Sequence, residues 1–225
     1  MYLTKTLFFL LLVQLSSAQS YTSGRAYLQD LHKRYERKMC KCYTFSQKNT
    51  HYKNDTVSGH SEWHEKINLP DYFKIAFGDT SQHNYVEFKN DSMYSYKLGK
   101  FVKSRPDSNS LLLILGGMYY RPFENTIVRL QHAQFNVNAI RADTWQNQAV
   151  WVIGDAGHNQ IYFLKSDGRV VRILEKLNSG DEMDMRFEAY QKWCDGSVET
   201  KVSFRRNGHL VQEEEYFDLR QCGRN

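Results

Sequence analysis

The C-terminal half of the chain alternates between short runs of apolar or alternating residues and turn dipeptides of known chemistry. Asp167-Gly168, Asp195-Gly196 and Asn207-Gly208 each separate two such runs. Asp-Gly and Asn-Gly favour the two-residue hairpin, because its central positions need φ > 0. Ser179-Gly180-Asp181 is a looser break. The spacing predicts strands over 149–154, 159–165, 169–177, 182–192, 197–205 and 209–217, each beside the next in one large antiparallel sheet. Such a sheet must bury one face, and what covers that face bears on function.

The pattern upstream is mixed. Tyr27, Leu28, Leu31 and Tyr35 recur at helical spacing and predict a helix over Thr22 to Lys38. Strands follow over Cys40 to Lys48, Gly59 to Leu69, Tyr72 to Phe77, Tyr85 to Lys89 and Met93 to Lys97, and Leu98-Gly99-Lys100 turns into Phe101-Val102. The period then changes. Ser108-Asn109-Ser110 offers N-cap chemistry to Leu111–Leu115, which Gly116-Gly117 closes, and Pro122 opens a second helix running to His132. Two short apolar helices in mid-sheet can lie across one face as a lid, with the glycine pair as hinge. About eleven strands cannot stay flat. The inner face of the curled sheet is then either filled by its own side chains or open to an apolar ligand.

Composition adds the compartment. Residues 1–18 read as a cleavable secretory signal: Lys5, an apolar run from Leu7 to Leu15, then Ser16-Ser17-Ala18. No Cys directly follows the expected cleavage point, so no lipid anchor is expected on the exported chain. The formal charge of +5 falls to +4 without Lys5. Its only dense basic spots are Lys33-Arg34 to Arg37-Lys38 and Arg205-Arg206, too little clustering for nucleic-acid binding. Four cysteines in an exported chain allow two disulfides and three connectivities. Cys40 and Cys42 share a strand face, so pairing of one or both with Cys194 or Cys222 is the expectation.

Catalytic motifs are absent. There is no G-x-S-x-G elbow, and Gly154-Asp155-Ala156-Gly157 lacks the G-K-[ST] of a phosphate loop. His60-x-Glu62-x-His64 is not the H-E-x-x-H of a zinc helix; on a strand its histidines stand ~13 Å apart. No metal, cofactor or enzymatic activity is expected. Asn54-Asp55-Thr56 and Asn90-Asp91-Ser92 match glycosylation sequons, relevant only in a eukaryotic secretory pathway.

A run of short motifs carries a family resemblance. They are Trp151-Val152-Ile153-Gly154, Asn159-Gln160-Ile161-Tyr162-Phe163, Arg169-Val170-Val171-Arg172, Phe187-Glu188-Ala189-Tyr190, Asp195-Gly196, and Glu214-Glu215-Tyr216-Phe217-Asp218-Leu219. Upstream stand Tyr43-Thr44-Phe45-Ser46-Gln47, Trp63-His64-Glu65 and Leu69-Pro70-Asp71-Tyr72-Phe73-Lys74-Ile75. In this order they resemble the LolA-like outer-membrane lipoprotein-sorting proteins of Gram-negative bacteria, across nearly the whole mature chain. The resemblance implies a mainly β fold: a half-open antiparallel β-barrel of about eleven strands, with an N-terminal helix and two central helices as lid. It implies a periplasmic carrier that holds the acyl chains of lipids or lipoproteins, works as a monomer, and meets membrane-associated partner proteins. The resemblance places the family's cavity arginine on no particular residue here, and four cysteines depart from its pattern.

On that reading the apolar inner face is the site. Its expected lining residues are Phe45, Trp63, Phe73, Tyr94, Leu112, Leu115, Met118, Trp151, Phe163 and Leu174. Each buried methylene of a bound chain contributes about 0.8 kcal/mol, so one acyl chain brings several kcal/mol. The alternative is a non-enzymatic exported structural or interaction domain whose aromatics fill its own barrel.

Overall fold

The computed structural model describes residues 20–107 and 109–223. The expected signal segment lies outside the described residues, as does Ser108. Thirteen strands form one sheet: β1 Cys42–Lys53, β2 Thr56–Asn68, β3 Tyr72–Phe77, β4 Tyr85–Lys89, β5 Ser92–Lys97, β6 Lys100–Pro106, β7 Ile140–Trp145, β8 Gln148–Ile153, β9 Gln160–Leu164, β10 Val170–Lys176, β11 Glu182–Trp193, β12 Gly196–Arg206 and β13 His209–Gln221. The order is β6-β5-β4-β3-β2-β1-β13-β12-β11-β10-β9-β8-β7. Every pairing between these strands is antiparallel, and β6 and β7 are free edges, so the barrel stays open. Two meanders therefore meet where β1 pairs with β13, Tyr43 opposite Gln221 and His51 opposite Gln212.

The sheet has two strands more than the expected eleven or so. One of the misses is β7. Its sequence, Ile-Arg-Ala-Asp-Thr-Trp, has an exposed middle and no apolar alternation, and its turn is Gln146-Asn147 rather than Asn-Gly. Of the expected hairpin dipeptides Asn207-Gly208 keeps its chemistry, while at Asp167-Gly168 only Gly168 is left-handed (φ 76°). Asn207 and Gly208 take φ of 50° and 84° between β12 and β13. At the β11–β12 turn the left-handed residue is instead Cys194 (φ 51°). Gly196 already pairs in the ladder and is small for another reason: a Cβ there would stand 2.4 Å from Met39 Sδ.

Three helices cover one face. α1, Gly24–Tyr35, starts on Ser23, whose hydroxyl accepts from the Ala26 amide at 3.2 Å. It buries Tyr27, Leu28 and Leu31. α2, Ser110–Leu115, is capped by Asn109, whose side-chain oxygen accepts from the Leu112 amide at 2.9 Å. α3, Phe123–His132, buries Ile127 and Leu130. Both central helices thus lie on the sheet, as expected of a lid, but α1 shares that face and fills its centre. Leu28, Leu31 and Leu130 pack with Ile153, Phe163 and Ile173 in the main core, all fully buried. Packing of this density leaves little room between these helices and β8–β10. The short α2 is apolar all round because it has two cores to serve. Leu113 and Ile114 enter the main core, while Leu112 joins Tyr43, Phe45, Ile67 and Leu69 in a second one.

The opposite face carries its own small core of Val150, Val152, Tyr162, Leu164, Val171 and Leu174, with Trp145 packed against it. The Arg172 guanidinium lies 4.2 Å from the centre of the Trp145 ring and makes two bonds, of 2.7 and 3.0 Å, to the buried Asp184 carboxylate. Two disulfides, Cys40–Cys194 and Cys42–Cys222, cluster beside the β1–β13 seam. Among the described residues no helix is long and apolar enough to cross a membrane.

Candidate functional site

A pocket of about 400 Å³ opens where the C-terminal end of α1 meets α2 over β10, β11 and β12. Ile114, Leu115, Val170 and Met39 supply apolar wall, and Tyr35, Tyr119 and Tyr190 supply aromatic wall. Its rim is tied by tyrosine hydroxyls: Tyr35 donates to the Asp167 carbonyl and Tyr190 to the Val170 carbonyl. The volume falls within the range of small-molecule sites, about 300–1,000 Å³.

Glu199 is also a lining residue of this pocket, and it is one of three buried glutamates around the seam. Register explains how strands of alternating polar residues bring them inward. Asn49 of β1 stands opposite Glu214 of β13, which stands opposite Val202 of β12. Glu65 of β2 stands opposite Phe45. Glu214 accepts hydrogen bonds from Gln212 and from the Tyr216 hydroxyl, both at 2.7 Å, and Gln212 also donates to Asn49 at 3.2 Å. Burial raises the pKa of all three acids, with mutual repulsion adding at Glu65 and Glu199. Glu199 and Glu214 are pushed up to about 7, and Glu65 well above its ordinary value. Burial likewise raises Tyr43 and Tyr216. Glu199 therefore gives the hollow a polar group that is protonated below about pH 7, where it donates as well as accepts.

The ten expected lining residues scatter. Leu115 lines the pocket. Met118 and Phe163 are sealed in the main core, and Phe45 and Leu112 in the second. Trp151 packs edge-on against Tyr21, with the Lys165 ammonium 4.1 Å from its ring centre. Trp63 and Phe73 lie on the helix-covered face beyond the helices, Trp63 edge-on to Phe77 at 5.3 Å and Phe73 stacked on Phe88 at 5.7 Å. Tyr94 and Leu174 stand on the opposite face, so they do not share the hollow: Tyr94 pairs with Glu87 beneath Lys89, and Leu174 belongs to the small core under Trp145. Each was one step out of phase with the strand's inward set.

Sequence reasoning missed Glu65, Glu199, Glu214 and Tyr190. The available signal was Glu213-Glu214-Glu215-Tyr216, where one glutamate of three must face inward if Tyr216 does. His60 contacts Thr50, and His64 contacts Ser46 and, at 3.7 Å, Glu62. No group of three His, Cys, Asp or Glu side chains among the described residues converges as a metal site requires.

No protein-family profile matches the chain, and no curated protein matches it. Solved structures do. One is a LolA superfamily protein from Nitrosomonas europaea, at 9 % identity and TM-score 0.60, covering 91 % of this chain and 96 % of the other. Another is a domain from Vibrio parahaemolyticus described as an outer membrane lipoprotein-sorting protein, at 13 % identity and TM-score 0.62, covering 88 % and 93 %. A third is a DUF1329 family protein from Desulfovibrio piger, at 10 % identity and TM-score 0.61, covering 90 % and 93 %. In fold this chain is LolA-like.

Proposed function

We propose that this protein is a periplasmic, non-enzymatic carrier that holds an apolar chain of a lipid or lipoprotein between its covering helices and its sheet. The observation that carries the reading is the hollow of about 400 Å³ bounded by Ile114, Leu115, Met39 and Tyr119 in a LolA-like fold. Trp63, Phe73, Ile75 and Phe77 extend a half-buried apolar surface on the same face beyond the helices. Below about pH 7 the protonated carboxyl of Glu199 suits the polar end of such a ligand, since it can donate to an ester or acid oxygen. Two disulfides fit an oxidising compartment.

The second reading, an interaction domain with a self-filled core, draws on the complete burial of Leu28, Leu31, Phe163 and Ile173. Native mass spectrometry of protein purified from a membrane-containing lysate separates the two, together with titration by a fluorescent fatty acid. Carriage gives a co-purifying lipid mass or saturable uptake. A ligand-free chain that also rejects the fatty acid favours the self-filled domain.

A further inference from the structure

The β5–β6 hairpin is irregular in two ways. Its tip is Leu98-Gly99, with φ of 50° and 73°. At the β11–β12 turn the disulfide-bonded Cys194 takes this left-handed region, and four other hairpins place Asn, Asp, Gln or Gly there: Asn54-Asp55, Asn90-Asp91, Gln146-Asn147 and Asn207-Gly208. Those residues tolerate it at low steric cost; leucine does not. The tip is nevertheless held firmly. The Leu98 amide donates to the Asn84 side chain and the Gly99 amide to the His83 carbonyl, both at 3.0 Å. A strained, rigidly supported leucine thus projects with 65 % of its surface exposed.

The second irregularity is the edge strand itself. Every residue of β6 is exposed, including Phe101 at 57 % and Val102 at 55 %. Val102 falls where the register skips, since Tyr96 pairs with Phe101 and Ser95 with Lys103. The same hairpin carries Lys97, Lys100, Lys103 and Arg105 on the face opposite Phe101, and no acid occurs between Ser92 and Pro106. Arg105 is paired with Asp107, but the three lysines make no ion pair among the described residues. The nearby Glu87 is already held by Lys89 and Tyr72. Behind the tip, Phe101 meets Tyr96 edge-on at 5.9 Å and Tyr96 stacks on Tyr85 at 4.5 Å.

Lysines alone would read as protection of a free sheet edge. They do not account for exposed leucine, phenylalanine and valine beside them. Pairing with a second copy at this edge would oppose two like-charged rows. Apolar residues at a rigid tip and edge, with unpaired lysines on one face of the ribbon and tyrosines on the other, match instead the boundary between anionic headgroups and acyl chains. We propose that the β5–β6 hairpin docks this protein on an anionic lipid surface, with Leu98, Phe101 and Val102 entering the interface and Lys97, Lys100 and Lys103 contacting the headgroups. The inference stands apart from the carrier reading, because the hairpin shares no residue with the pocket.

The test is sedimentation of the disulfide-intact protein with vesicles of phosphatidylglycerol and phosphatidylcholine, against phosphatidylcholine alone. Wild type is expected to sediment with the anionic vesicles, less so as salt rises, and to stay in solution with the neutral ones. The variant Lys97→Gln/Lys100→Gln/Lys103→Gln should lose about fivefold in partitioning per lysine, about a hundredfold together. Leu98→Ser/Phe101→Ser/Val102→Ser should keep only weak, fully salt-reversible binding. These positions are exposed, so matching thermal melts confirm folding, and fatty-acid uptake by the same variants reports the pocket independently. The docking proposal is overturned if wild type ignores anionic vesicles, as it would with an acidic protein partner, if neutral vesicles capture it equally, or if the serine variant binds like wild type.

Discussion

Replacing Glu199 by Gln isolates the energetics of the buried acids. Glu199 has its pKa raised from 4.5 to about 7 by burial, with repulsion from Glu214 adding to the shift. The folded state therefore holds this proton at pH values where the unfolded chain has released it. Between pH 4.5 and 7 the folded form binds more protons, so raising the pH costs stability. The stabilisation is fully present below pH 4.5 and is lost as the pH climbs through about 7. A shift of this size corresponds to about 3 kcal/mol at pH 8, taking about 1.4 kcal/mol per pKa unit. Glutamine keeps the shape and cannot ionise. Glu199→Gln should match wild type near pH 4 and exceed it by up to about 3 kcal/mol at pH 8, a rise in Tm of about 6–12 °C for a domain of this size. Glu214 titrates in the same window, so some of the wild-type slope should persist in the single variant. Urea melts followed by circular dichroism at pH 4, 6 and 8 read the difference. Asp181, lowered to about 2, and Asp184 titrate below this range, whereas Glu65 and Glu175, both raised by burial, add to the slope that wild type and variant share. Parallel pH profiles for variant and wild type would refute the reasoning: Glu199 would then be solvated rather than buried.

Three further outcomes are expected. Leu115→Trp fills the mouth of the pocket and should weaken fluorescent fatty-acid binding at least about tenfold in a direct titration, while leaving the fold intact because Leu115 is only partly buried. Leu31→Ala opens a cavity under α1 beside Gly168 and should cost about 2–5 kcal/mol in chemical denaturation. Cys40→Ser/Cys194→Ser releases a cross-link spanning 154 positions and should cost about 2–5 kcal/mol, measured against the oxidised wild type.

Much of the architecture was legible because turn residues announce hairpins. Asn207-Gly208 marked its hairpin correctly, and Tyr27, Leu28 and Leu31 marked α1 by period alone. The polarity of single strand faces was less legible. A twofold period fixes which residues share a face but not which of the faces lies under the helices, and Tyr94 and Leu174 fell on the wrong side for that reason. The buried acids were hidden by composition: a glutamate in a Glu-rich strand reads as solvated until register places Glu214 opposite Asn49 and Val202. The role of α1 in filling the centre of the face was invisible as well, because an amphipathic period says that a helix packs, not against which strands.

The seam between β1 and β13 has a further consequence. The strand that completes this sheet late in the sequence occupies its middle, not its border. Losing residues 209–221 would not fray an outer rung; it would separate the meanders, which touch mainly through that one strand. Each meander is assembled from contacts between sequence neighbours, whereas the join pairs residues 161 to 178 positions apart, the slowest kind of contact for a folding chain to find. Both disulfide clasps sit at that join, where each holds together the pieces that would otherwise drift apart first.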